Sequence, residues 1–161
     1  MDERTELSKE LVETFTKAGH MVATAESCTG GMIAASITDI AGSSAVLDRG
    51  FVTYSNEAKQ EMIGVSVTTL QAHGAVSQAT AVEMANGALA HSHADFAVSV
   101  TGVAGPGGGS PEKPVGLVHM AIAKRGHGTG HWEMRFGDIG REEIRKATVV
   151  EALKALIAAS K

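Results

Sequence analysis

Short apolar runs of strand type alternate with helix-type runs through roughly the first hundred residues, and two more strand-type runs then follow back to back. That order constrains the fold more than any other feature of the chain. Residues 5–18 put Leu7, Leu11, Val12 and Phe15 on one helical face, and Gly19 stops the helix. Residues 21–25 predict a strand, followed after a turn by a helix to Asp39 and a loop over 41–44. Val46–Thr53 reads as a strand, broken in character by Asp48-Arg49-Gly50. Ser55 or Asn56 caps a short helix that contains Lys59 and ends near Gly64. A second short helical piece, Thr68–His73, closes at Gly74. Ser77 opens a longer helix to Ala90; Val82, Ala85 and Leu89 form its apolar stripe, and Ala81, Ala85 and Ala88 permit close packing. Asp95–Thr101 is a buried strand. Val115–Ala123 and His131–Phe136 pair as a hairpin, and Gly140 opens a last helix with Val149, Val150, Leu153, Leu156 and Ile157 on its buried face. The expected fold class is α/β: a single-domain, three-layer α/β/α sandwich with a mixed, mostly parallel sheet.

The length, 161 residues, suits one domain with a real core. No apolar run approaches the roughly 18 residues of a membrane span, and the charged N-terminus lacks a signal-peptide core. A soluble, cytoplasmic protein is expected. The single cysteine, Cys28, has no intramolecular disulfide partner, which agrees with a reducing compartment. The net charge of −4 and the lack of basic runs longer than two residues give no footprint for nucleic acid or membrane. Glycine is the compositional excess, 19 residues in all against a usual level of about 7%. The glycines cluster, which implies tight turns or close approach to a ligand.

One cluster follows the first strand, in Glu26-Ser27-Cys28-Thr29-Gly30-Gly31. A hydroxyl residue at a strand-to-helix turn sits where free backbone N–H groups point outward, and those donors suit an anion or a developing oxyanion. Ser27 can be a nucleophile there, with the backbone of Cys28, Thr29, Gly30 and Gly31 as its oxyanion hole. The plainer alternative is that Ser27 or Thr29 simply caps the helix.

Three further segments are candidates to meet Ser27. Tyr54-Ser55-Asn56 is followed by Lys59, in about the first turn of a helix. Lysine serves as a base when desolvation lowers its pKa, and Tyr54 is placed to relay a proton or orient it. The loop Gly102–Pro114 leaves the carboxyl end of a buried strand, the usual ligand side of an α/β sheet. Its Gly105, Gly107 and Gly108 suit an anion-binding nest, although no Gly-Lys-Ser/Thr ending marks a P-loop. Arg141 and Arg145, four apart near a helix start, suit a phosphate or carboxylate; the alternative is a solvated helix with ion pairs such as Glu142 to Lys146. The seven histidines include His91-Ser92-His93 and His127 with His131. Neither pair has carboxylates or cysteines in a zinc-ligand pattern. A Ser-His-Asp triad stays open, because triad members are distant in sequence, but no Gly-x-Ser-x-Gly elbow is present.

Taken together, Glu26-Ser27-Cys28-Thr29-Gly30-Gly31, Tyr54-Ser55-Asn56 with Lys59, Thr101-Gly102-Val103-Ala104-Gly105-Pro106 with Gly108-Gly109 and Lys113-Pro114-Val115-Gly116, and Arg141 with Arg145 resemble the CinA C-terminal domain family, the nicotinamide-nucleotide amidases. The resemblance covers nearly the whole chain, in what looks like the stand-alone form. It implies hydrolysis of the carboxamide of nicotinamide mononucleotide (NMN) to nicotinic acid mononucleotide and ammonia, in pyridine-nucleotide recycling. It implies Ser27 as nucleophile, Lys59 as base, Tyr54 and Thr101 as supporting site residues, and Arg145, with Arg141, as substrate contacts. It further implies no metal or other cofactor and a homo-oligomer. The competing expectation is a non-catalytic nucleotide-binding or regulatory module, in which Ser27 only caps its helix. A phosphate-ester hydrolase would want a metal-carboxylate cluster, which the sequence does not offer.

Overall fold

The computed structural model describes residues 2–161. Six helices and five strands follow in the order α1 (Glu3–Ala18), β1 (Val22–Glu26), α2 (Met32–Thr38), β2 (Leu47–Val52), α3 (Asn56–Ile63), α4 (Val67–His73), α5 (Gln78–Ala90), β3 (Phe96–Gly102), β4 (Leu117–Lys124), β5 (Gly130–Arg135) and α6 (Arg141–Ser160). A single 3-10 turn, Ser43–Ala45, precedes β2. The caps follow local chemistry. Asp2, Ser55, Ser66 and Ser77 accept from backbone N–H groups at the starts of α1, α3, α4 and α5. Gly19 and Gly64 close α1 and α3 in the left-handed conformation.

The strands form one sheet in the order β2-β1-β3-β4-β5. β1 is parallel to both β2 and β3, while β4 runs antiparallel to β3 and β5. Four strands therefore point the same way and β4 alone is reversed, which is the mixed, mostly parallel sheet expected. The Asp48-Arg49-Gly50 interruption has a physical counterpart. β2 is an edge strand, and its register with β1 shifts beside Asp48, so that Val22 faces Leu47 and Ala23 faces Arg49.

The two faces of the sheet differ in bulk. Phe96, Val98 and Val100 of β3, with Val118, Met120 and Ile122 of β4, meet Leu11, Val12 and Phe15 of α1, Ile33 and Ile37 of α2, and the α6 residues Ile144, Val149, Leu153, Leu156 and Ile157. The opposite face carries Ala23, Ala25, Ala97, Ala121 and Ala123, against Ile63 of α3, Leu70 of α4 and Met84, Ala85 and Ala88 of α5. Strand alternation sorts large from small, and the alanines draw α5 close to the sheet. The buried face of α5 is centred on Ala81, Met84, Ala85 and Ala88, whereas Val82 and Leu89 lie at its margin.

Close packing extends to the contact between α5 and α3. A Cβ at Gly87 would overlap the Ile63 carbonyl oxygen and lie 3.0 Å from Ile63 Cβ. Gly87→Ala is expected to lower stability by about 1–3 kcal/mol through overpacking, even though alanine is the better helix former by about 0.8–1.0 kcal/mol. A denaturant midpoint at or above that of the parent would overturn this.

Candidate active site

Ser27 directly follows β1, the strand between β2 and β3, at the carboxyl end of the parallel part of the sheet. Such ends are where α/β sheets bind ligands. The sheet itself holds the start of the turn: Ser27 N–H donates to Val100 O at 3.1 Å, and Thr53 N–H donates to Glu26 O at 2.9 Å. The turn then needs two glycines. Gly30 and Gly31 have φ of 58° and 108°, and a side chain at Gly31 would be strained.

Neither Ser27 nor Thr29 caps α2. Its N-cap is Gly31, which has no side chain to offer. The capping acceptor comes instead from Glu26, which is 1% exposed. Its Oε1 accepts from Thr29 Oγ1 at 2.6 Å and Ile33 N–H at 2.8 Å, and its Oε2 accepts from Ala34 N–H at 3.0 Å. The capping alternative for the serine is thereby corrected, and the Ser27 hydroxyl is left for other work. Gly30 N–H donates to Ser27 O within the turn at 3.1 Å, so it is not an open donor as expected. Among the described residues no other residue's backbone accepts from the N–H groups of Cys28, Thr29 and Gly31.

Lys59 comes to the serine from α3. Ser55 starts that helix, and one turn later the Lys59 side chain folds back over the preceding strand end. Its Nζ lies 3.2 Å from Ser27 Oγ, 3.0 Å from Thr53 O and 3.4 Å from Tyr54 O. The residue is 1% exposed, and burial pushes its amine below the ordinary value of 10.5. Among the described residues no carboxylate forms an ion pair with Lys59, since the hydrogen bonds of Glu26 all go to the turn and α2. Two carbonyls take two N–H donors of the amine, and its third contact is with a hydroxyl that can either accept from it or donate to its lone pair.

Cys28 is not a rival nucleophile. It lies 5% exposed within the bulky core, and burial pushes its thiol up to about 12. A thiol held protonated is inert.

The remaining expected residues take more specific places. Thr101, at the end of β3, donates its hydroxyl to Ala75 O at 2.8 Å and holds the segment between α4 and α5 against the site. Tyr54 touches Lys59 through its carbonyl, while its phenol accepts from Arg141 Nη2 at 2.9 Å. Arg141 also donates through Nη1 to Gly105 O at 2.7 Å. One guanidinium thus ties the start of α6 to the tyrosine and to the glycine loop. Arg145 reaches the turn from behind, donating to Cys28 O at 3.1 Å and Thr29 O at 3.2 Å. It braces the turn, a role the sequence did not reveal. Glu142 pairs with Lys146 at 3.1 Å, as the helix spacing indicated. Gly107 and Gly108 lie in the exposed loop with open space around their Cα atoms.

A cavity of about 210 Å³ joins these groups, lined by Ser27, Cys28, Tyr54, Lys59, Ala75, Val76, Thr101, Gly102, Ala104 and Arg141. Ala75 and Val76 had no sequence signal beyond following a short helix. No histidine lines the cavity, so the triad alternative has no counterpart at Ser27. His131 instead contacts His119 at 2.9 Å on β4 and β5. Among the described residues no group of three or more His, Cys, Asp or Glu is placed to hold a metal ion, and no helix is long and apolar enough to cross a membrane. A larger groove, about 480 Å³, runs between α1 and α6. Its charged residues are mostly solvated, and it has no nucleophile beside a base.

The fold and the cavity define an α/β protein with a buried serine–lysine pair at the carboxyl end of β1, the middle strand of the parallel β2-β1-β3 part of its sheet. The model of the family described as CinA C-terminal domain matches residues 4–159, and the chain belongs to that family. It is 54% identical over 155 residues to the nicotinamide-nucleotide amidohydrolase PncC of Escherichia coli K12, covering 96% of this chain and 93% of that one. It is 48% identical to a putative competence-damage inducible protein of Caldicellulosiruptor bescii, of which the match spans 37%. Among solved structures, the competence/damage inducible protein CihA of Agrobacterium tumefaciens superposes with a TM-score of 0.98 at 60% identity, covering 100% of this chain and 98% of that one.

Proposed function

We propose that this chain hydrolyses the carboxamide of NMN, giving nicotinic acid mononucleotide and ammonia, with Ser27 as nucleophile and Lys59 as general base. The observation that carries the residue assignment is the 3.2 Å contact between Ser27 Oγ and the buried Lys59 amine. The substrate assignment is supported by 54% identity to a nicotinamide-nucleotide amidohydrolase along nearly the full length of both chains.

Neutral Lys59 donates its two N–H groups to Thr53 O and Tyr54 O and turns its lone pair to Ser27. It takes the Ser27 proton as Oγ attacks the carboxamide carbon. The backbone N–H of Cys28, the turn residue after Ser27 that lines the cavity, receives the oxyanion; one such donor is typically worth about 2.7–4 kcal/mol of barrier. Lys59 then protonates the leaving nitrogen, the C–N bond breaks, and ammonia departs. A water deprotonated by Lys59 attacks the acyl-enzyme and restores Ser27.

The cavity is smaller than the roughly 300–1,000 Å³ of sites that enclose a whole ligand. It suits the nicotinamide end, leaving ribose and phosphate at the mouth beside Arg141 and the Gly105–Gly108 loop. A homo-oligomer belongs to the same reading, and light scattering on the purified protein tests it.

The first experiment is ammonia release from NMN, with free nicotinamide as control. Release from NMN alone supports the reading. Saturable NMN binding without release favours the binding module.

The pH profile is a second test. Because burial lowers the Lys59 pKa, the active neutral amine gains population as pH rises. The acid limb of kcat/KM is expected to rise with an inflection below 10.5. The sign for stability is the same: the unfolded chain holds the Lys59 proton more tightly, so folding is favoured as pH rises toward 10.5. A rate that falls with pH across that limb would contradict the assignment.

A further inference from the structure

We infer that Glu26 is a positioning residue for Ser27, acting through the turn rather than on the substrate; this rests on the amidase reading above. Glu26 is the last residue of β1 and immediately precedes Ser27. Its carboxylate is buried and engaged on both oxygens, to the Thr29 hydroxyl and to the N–H groups of Ile33 and Ala34. Its own carbonyl accepts from Thr53 N–H. One residue therefore fastens the end of β1 to three places: the middle of the turn, the first turn of α2, and the strand end whose Thr53 and Tyr54 carbonyls hold Lys59.

Two consequences follow for the chemistry. First, the direction of the Ser27 side chain and of the Cys28 N–H, the turn groups that line the cavity, is set from one side by Glu26, and from behind by Arg145. Second, the Ile33 and Ala34 N–H groups of α2 are already occupied by an internal anion. The donors for the oxyanion come from the turn alone, and a substrate phosphate has to be held elsewhere around the cavity. The diverted carboxylate also makes no ion pair with Lys59, so it does not hold that amine in its protonated form.

The experiment compares Glu26→Gln, Glu26→Asp and Glu26→Ala, each shown folded by circular dichroism and assayed well below its own Tm. Glutamine keeps an oxygen for Thr29 and Ile33 and loses only the acceptor for Ala34. Aspartate is one methylene shorter, and alanine has no acceptor. The expected order is a fall in kcat of less than about tenfold for Gln and of about a hundredfold or more for Asp and Ala, with KM within threefold of the parent throughout. The rate at which a fluorophosphonate labels Ser27 is expected to fall in the same order. A folded Glu26→Ala with kcat within threefold of the parent overturns the inference. So does a loss confined to KM, or a loss that only follows the unfolded fraction. If the parent releases no ammonia, the amidase reading fails by itself, and the labelling order alone decides the role of Glu26. A parent that is neither active nor labelled overturns both.

Discussion

Ser27→Ala is expected to reduce ammonia release from NMN by about 10³–10⁶-fold while leaving NMN binding within a few fold. Losses of that size are typical when the nucleophile of a coupled serine site is removed, because its partner has nothing left to activate. The substitution is structurally mild. Ser27 has 9% of its surface exposed and faces the cavity, and its backbone bond to Val100 is untouched. The Glu26 cap of α2 does not involve the serine side chain. Single-turnover ammonia release and NMN titration by calorimetry separate chemistry from binding. Undiminished turnover would remove Ser27 from the mechanism.

The second large effect is expected at Lys59. Lys59→Met keeps an unbranched stem, one atom shorter, and removes the amine; Lys59→Arg introduces a cation that stays protonated at any working pH. Both are expected to lower kcat by about 10²–10⁴-fold, the range of a general base, and Lys59→Met is expected to erase the acid limb of the pH profile. Lys59→Met leaves Thr53 O and Tyr54 O without the amine donor, which costs about 1–3 kcal/mol for a buried unpaired group. A lower Tm is therefore expected alongside the lost activity. Full activity in Lys59→Arg would show that no neutral amine is needed.

The order of elements was legible because it rests on local patterns: apolar period, serine caps and stop glycines. Ser55 and Ser77 announce their helices in sequence, and each accepts the expected backbone hydrogen bond. The candidate site was legible as separate segments, and the chain brings Ser27, Tyr54, Lys59, Thr101 and Arg141 to one cavity. What the sequence hid was direction. Arg141 and Arg145 have the same chemistry and lie one turn apart, yet one faces the cavity mouth and the other grips the carbonyls behind the turn. Spacing of four residues cannot separate those roles, since it puts both on one side of a helix. Glu26 offered a signal that went unused: an acid ending a short strand that is otherwise apolar or small is costly to bury, and needs donors to meet it.

The α6 helix contributes both a wall of the bulkier core and, through Arg141, the tie between Tyr54 and Gly105. The ribosome delivers it after all five strands. A nascent chain ending at β5 already contains Ser27, Lys59 and the α1 and α2 part of the bulky core, but that side of its sheet still lacks the share of its cover that α6 supplies. Such a chain exposes a sticky apolar surface of the kind chaperones intercept. Assembly of the cavity is in this sense a late event of translation, and the serine–lysine pair gains its complete surroundings only when α6 docks.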